Sequence, residues 1–149
     1  MQETVQDLMS KRLVAVLPGD TAQEAARLMK EHNIGAVPVV SGGELRGMLT
    51  DRDIVLRCIA EGKDPASTRA GELMSRDIAY VTPDRTVQDA VRMMSAEQVR
   101  RLPVVRDGYV DGMISLADIA RRHTGPEVAA AISEISTTHI GPAGAVRTR

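Results

Sequence analysis

Thr50 and Asp53 stand three residues apart in GMLTDRDI, residues 47–54, and Ser115 and Asp118 stand three apart in GMISLADI, residues 112–119. A hydroxyl and a carboxylate at that spacing have two uses. At a helix start they form a capping box, in which the hydroxyl accepts from a first-turn N–H and the carboxylate reaches back. Facing a groove, the same oxygens accept from a ligand. Two neighbouring features favour a groove. Gly47 and Gly112 each precede the hydroxyl by three residues, inside a stretch that reads as strand. Glycine there marks close approach by a ligand or by another backbone. Pro38 and Pro103 each lie fifteen residues before the aspartate and interrupt apolar strands. A proline removes a ladder N–H, which leaves backbone polar groups for another partner. The expectation is a groove with free backbone on one wall and a helix start with its carboxylate on the other.

The elements that position these residues come from a duplication. Shifted by 65 residues, 8–57 aligns with 73–122 without a gap, and 19 of 50 paired positions are identical. LMS meets LMS, PVV meets PVV, and Gly-Met meets Gly-Met. Each copy predicts β-α-β-β-α. A short strand (13–16 or 78–81) leads to a helix opening at Thr21 or Thr86. Ala22, Ala25, Ala26 and Met29 share one helical face, matched by Val87, Ala90, Val91 and Met94. A buried strand, a turn (SGGE or RDGY), a second strand and a second helix follow. Repeat 1 is expected over 1–62 and repeat 2 over 63–124, starting in earnest near 68. EGKDPAS, 61–67, is the expected hinge, and 125–149 should hold a helix from Pro126 to about Ile135 and a frayed tail, GPAGAVRTR. A repeat of about 60 residues is marginal alone, so the two should pack together.

IGAVPVV with GMLTDRDI, and VRRLPVV with GMISLADI, resemble the motifs of a tandem pair of CBS (cystathionine β-synthase) domains, or Bateman module, over about residues 1–124. The layout is similar to small stand-alone bacterial CBS-pair proteins associated with stress or dormancy. The resemblance implies an α/β (α+β) fold of two repeats packed with pseudo-two-fold symmetry, plus the C-terminal helix. It implies adenosine-type ligands: AMP, ADP or ATP, with S-adenosylmethionine as a further option, and no obligatory cofactor. Asp53 and Asp118 would accept from ribose hydroxyls, and Thr50 or Ser115 would reach ribose or phosphate. Adenine would lie against Val14 and Val16, or Ala79 and Val81. Its edge would meet backbone at Ala36, Val37 and Pro38, or Arg101, Leu102 and Pro103. Family modules face their two sites onto a shared cleft, so Arg100 or Arg101 would serve phosphates. Arg52 joins the first site, while Asp51 opposes phosphates there. The expected role is a non-catalytic regulatory sensor, a cytoplasmic homodimer signalling to an effector protein elsewhere. The alternative is a dimeric scaffold with vestigial grooves.

The remaining chemistry is sparse. A net charge of −1 and the absence of Phe and Trp give no footing for nucleic acid or anionic lipid. No apolar run is long enough to span a bilayer. Cys58 reads as a small core residue sharing the apolar face of its helix with Ile54, Val55 and Ile59. A single cysteine forms no internal disulfide, which fits a reducing compartment. His32, His123 and His139 lack metal-ligand spacing and read as structural or surface residues. No catalytic triad, Walker loop or catalytic carboxylate pair stands out, so no enzyme activity is expected.

Overall fold

A computed structural model of the chain describes residues 3–123 and 125–140, with side chains as far as Ile135. The proposed tail at 141–149 and the side chain of His139 lie outside the described residues. The elements in chain order are α1 (Val5–Leu8), α2 (Ala22–His32), β1 (Ala36–Ser41), β2 (Glu44–Thr50), α3 (Asp51–Asp53, continuing as a π-helix over Ile54–Ile59), α4 (Ala70–Leu73), α5 (Val87–Glu97), β3 (Arg101–Arg106), β4 (Tyr109–Ser115), α6 (Leu116–Ala120) and α7 (Pro126–Ile140). The fold is mixed α/β. Its contacts divide the chain into two compact units, one of Leu13–Ile78 with Asp107–Val110, the other of the chain up to Arg12, Ala79–Arg106 and the chain from Asp111 onward.

In the unit holding the first repeat, Thr21 caps α2 by accepting from Glu24 N–H, and Asn33 ends it in the left-handed conformation. Ala22, Ala25 and Met29 face a core with Val37, Val39, Leu49, Leu73 and Met74. β1 and β2 pair antiparallel, Ala36 opposite Thr50, with an irregularity after Val39. The turn between them takes Gly42 and Gly43 at φ 62° and 82°, which glycine adopts without strain. The segment 61–67, expected as a hinge, is tied to α2: Gln23 N–H donates to Pro65 O (3.0 Å), and Ala22 N–H to Thr68 O (2.8 Å) just beyond it.

In the other unit, Thr86 caps α5 through Asp89 N–H, and Gln98 ends it in the left-handed conformation. Val87, Ala90, Val91 and Met94 pack with Leu102, Val104, Ile114 and Ile119. Helix α7 closes this core with Val128, Ala131 and Ile135, and it runs to Ile140, past the expected end near Ile135.

The first strand of each copy differs from expectation. Only Val16 and Val81 pair, each by a single parallel bridge to Val39 and Val104. Each copy also carries a one-turn helix that ends at the Leu of its Leu-Met-Ser, α1 and α4, and that periodicity does not reveal because one turn is too short to show a face. Past Asp53 the helix widens to i→i+5 bonds, Ala60 N–H to Val55 O (2.8 Å) and Lys63 N–H to Cys58 O (2.9 Å). Ile54 and Cys58 are buried, whereas Val55 and Ile59, expected beside them, are exposed together with Leu56.

Glu24 titrates below its ordinary value of 4.5, held down first by the hydrogen bond from Thr21 N–H and next by that from its hydroxyl. A carboxyl lowered on folding stabilises the fold above its unfolded value and loses that contribution as pH falls through the folded one. Urea unfolding between about pH 6 and about pH 3 should show the wild type losing more stability than Glu24→Gln below about pH 4.5. Parallel curves would contradict the capping role.

Candidate functional site

The two copies use the hydroxyl–carboxylate pair differently. In the first, the capping box is complete: Asp53 N–H donates to Thr50 Oγ1 (3.0 Å) and Thr50 N–H to Asp53 Oδ2 (2.9 Å). Asp53 keeps Oδ1 for other partners, with Arg57 Nε 3.8 Å away and the carboxylate 15% exposed. In the second copy only half of the box forms. Asp118 N–H donates to Ser115 Oγ (3.0 Å), but the carboxylate turns to Arg121, whose Nη1 is 2.8 Å from Oδ1. One sequence pattern therefore gives two different carboxylates.

The glycines mark backbone, not ligand. Met48 N–H donates to Ser75 O and Ser75 N–H to Met48 O, both at 2.9 Å. A Cβ on Gly47 would sit 2.6 Å from Ser75 O. Gly112 repeats the arrangement: Ser10 and Met113 exchange bonds of 2.8 and 3.0 Å, and a Cβ on Gly112 would overlap Ser10 O. The recurring Leu-Met-Ser and Gly-Met are thus partners, a pairing the repeat alignment displayed without disclosing. The prolines are likewise partly spent. Val16 N–H donates to Pro38 O and Val81 N–H to Pro103 O, both at 3.1 Å, so these carbonyls are not free as expected.

The free backbone lies one strand away. Leu13–Ala15 and Ile78–Tyr80 lie outside helix and strand and make no backbone hydrogen bond among the described residues. In the first repeat the Val16–Val39 bridge is parallel, so Leu13–Ala15 run toward the Ala36 end of β1. Ala36 pairs with Thr50 on its other side, and Asp51 N–H donates to Gly35 O (2.9 Å). Val14 and Ala36 are half-buried, Val16, Val37 and Pro38 are buried, and Arg52 is exposed. In the second repeat Leu116 N–H donates to Arg100 O (2.8 Å), setting Ser115 beside the start of β3. Ala79 is half-buried, and Val81, Leu102, Pro103 and Ser115 are buried. Arg100 and Arg101 are exposed, without an ion-pair partner among the described residues.

The two copies differ in charge where a ligand's anion would lie. The Asp51 carboxylate covers Gly35, with Oδ2 3.1 Å from where a Cβ would stand. The matched residues in the second copy are Leu116, buried, and Arg100, exposed. Asp51 therefore stands over the position whose counterpart is Arg100. His123, expected to be structural, pairs with Glu3 at 2.5 Å, and Arg122 joins the same carboxylate at 3.4 Å.

The model of the family described as CBS domain matches residues 5–59 and 70–125, one stretch for each copy. The chain is a CBS-domain protein. Among relatives, this CBS pair is 43% identical over 138 residues to the CBS domain-containing protein YhcV of Bacillus subtilis, covering 92% of this chain and 98% of that one. It superposes on the crystal structure of Hypoxic Response Protein I with two coordinated zinc ions at TM-score 0.75, with 40% identity over 80% of this chain and 98% of that one. Among the described residues here, no three His, Cys, Asp or Glu side chains gather to hold a metal. The CBS domain pair of protein MJ0100, in complex with 5′-methylthioadenosine and S-adenosyl-L-methionine, matches at TM-score 0.71 and 29% identity, over 81% of this chain and 95% of that one.

Proposed function

We propose that this CBS pair is a non-catalytic sensor of adenine nucleotides, with AMP, ADP and ATP as first candidates and S-adenosylmethionine next. The observation that carries the reading is the unbonded backbone of Leu13–Ala15 and Ile78–Tyr80, each beside a strand that leads to an Asp carboxylate. Backbone donors and acceptors read an adenine edge, aliphatic side chains take its faces, and the carboxylate accepts from ribose. The MJ0100 complex with two adenosine compounds supports this class of ligand. In this reading Asp53 and Asp118 hold ribose, Thr50 and Ser115 assist, and Arg100 and Arg101 serve phosphate in the second groove. The exposed Val55, Leu56 and Ile59 suit a homodimer contact. Ligand then shifts the balance between arrangements by binding one better, and an effector protein in the cytoplasm reads the outcome. The likeness to Hypoxic Response Protein I supports a role in stress.

A thermal-shift series with AMP, ADP, ATP and S-adenosylmethionine tests the reading. At about a hundred times its Kd a ligand adds about 2.7 kcal/mol, which for a chain of this size raises Tm by about 5–10 °C. Absence of any shift would favour the scaffold reading, in which the grooves are vestigial.

A further inference from the structure

Arg121 has no counterpart in the first repeat, where the matched residue is Leu56. Its Nη1 lies 2.8 Å from Asp118 Oδ1, with the Arg121 side chain 72% exposed and that of Asp118 28% exposed. Both line a pocket of about 240 Å³ with Asp7, Leu8, Ser10 and Arg122. Arg122 is held at 3.4 Å by Glu3, so of the two guanidinium groups only that of Arg121 rests on Asp118. In the first repeat the corresponding carboxylate gives one oxygen to its own capping box, and its cation, Arg57, stands 3.8 Å off. The second repeat thus holds its aspartate in a close guanidinium contact that the first repeat does not match.

We propose that Arg121 is a selectivity gate on the second groove, setting it to prefer phosphorylated over neutral adenosine ligands. The proposal rests on the nucleotide reading above. A ribose diol that takes both carboxylate oxygens of Asp118 displaces the guanidinium from Oδ1. A neutral nucleoside leaves that guanidinium unpaired. A nucleotide supplies an anion, and guanidinium is suited to phosphate because its fork donates two parallel hydrogen bonds. The displaced pair is largely exposed, so the penalty it imposes is small, about two- to five-fold in affinity. The phosphate bond it gains is charge-assisted and worth more, about ten-fold. The first groove, with Leu56 in place of the arginine and Asp51 over Gly35, lacks the close contact, its Arg57 standing 3.8 Å from Asp53.

Calorimetry with adenosine and with AMP tests the gate, in an Asp53→Ala background so that only the second groove is read. Arg121→Leu should tighten adenosine about two- to five-fold and weaken AMP about ten-fold, so that the preference for AMP falls by more than about ten-fold. Arg121→Lys, which keeps the charge without the fork, should retain part of that preference. An unchanged AMP-to-adenosine ratio in Arg121→Leu overturns the gate. If Asp118→Ala in the same background abolishes binding of both ligands while the ratio in Arg121→Leu is unchanged, the gate alone has failed. If Asp118→Ala leaves both affinities as they were, the nucleotide reading has failed with it.

Discussion

Gly112→Ala is expected to lower the unfolding free energy by about 3 kcal/mol and Gly47→Ala by about 2 kcal/mol, against about 0.5 kcal/mol or less for Gly19→Ala. At Gly112 the obstacle is backbone. The added methyl would overlap Ser10 O and lie 3.2 Å from the Ser10 carbonyl carbon. Relief requires Ser10 to withdraw, and that breaks the two bonds it exchanges with Met113. At Gly47 part of the obstacle is the Met74 side chain, Sδ at 2.8 Å, which can turn aside; Ser75 O at 2.6 Å cannot. Gly19 meets only Arg69 Nη1, at 3.7 Å, an ordinary contact. Urea unfolding of the three variants gives the order directly. Gly112→Ala matching Gly19→Ala would mean that the Ser10 pairing is not maintained in solution.

This pairing shows what was legible in the chain and what was not. Helices α2 and α5, the β1–β2 strands and the capping residues follow from local grammar: a Thr before an apolar-periodic run, an acid three residues on, and a 65-residue echo. Local sequence marks the glycines as sites of close approach but does not name the approaching partner, because Ser10 is 102 residues from Gly112 and only the fold joins them. By sequence alone, proline frees backbone at Pro38 and Pro103. In the structure their carbonyls accept from Val16 and Val81, and the unbonded backbone moves to Leu13–Ala15 and Ile78–Tyr80. The π-helical pitch after Asp53 was invisible, since Ile54, Val55, Cys58 and Ile59 fit an α-helical face equally well. Arg121 could have been found in the alignment itself, as a cation three residues past an aspartate where the first copy has Leu56.

Asp118→Ala should abolish ligand binding in the second groove while leaving stability nearly unchanged, whereas Asp53→Ala should cost both. Removing a carboxylate that accepts from two ribose hydroxyls forfeits charge-assisted bonds of about 1.5–3 kcal/mol each, a loss of at least about a hundred-fold in affinity. Neither variant escapes that term. Their folding terms differ. Asp53 Oδ2 accepts from Thr50 N–H at 2.9 Å and the carboxylate is only 15% exposed, so truncation strands a partly buried donor. The cost is about 1 kcal/mol, the value of a helix cap. Asp118 makes no such bond. Its partner is Arg121, whose side chain is 72% exposed, and an exposed ion pair contributes about 0–1 kcal/mol. Unfolding without ligand isolates the folding term, and calorimetry with AMP on each variant isolates the binding term. Equal Tm values for the two variants would mean that the capping asymmetry has no energetic weight. Undiminished AMP binding in both would remove ribose from the account of these aspartates and leave Thr50–Asp53 and Ser115–Asp118 as helix caps.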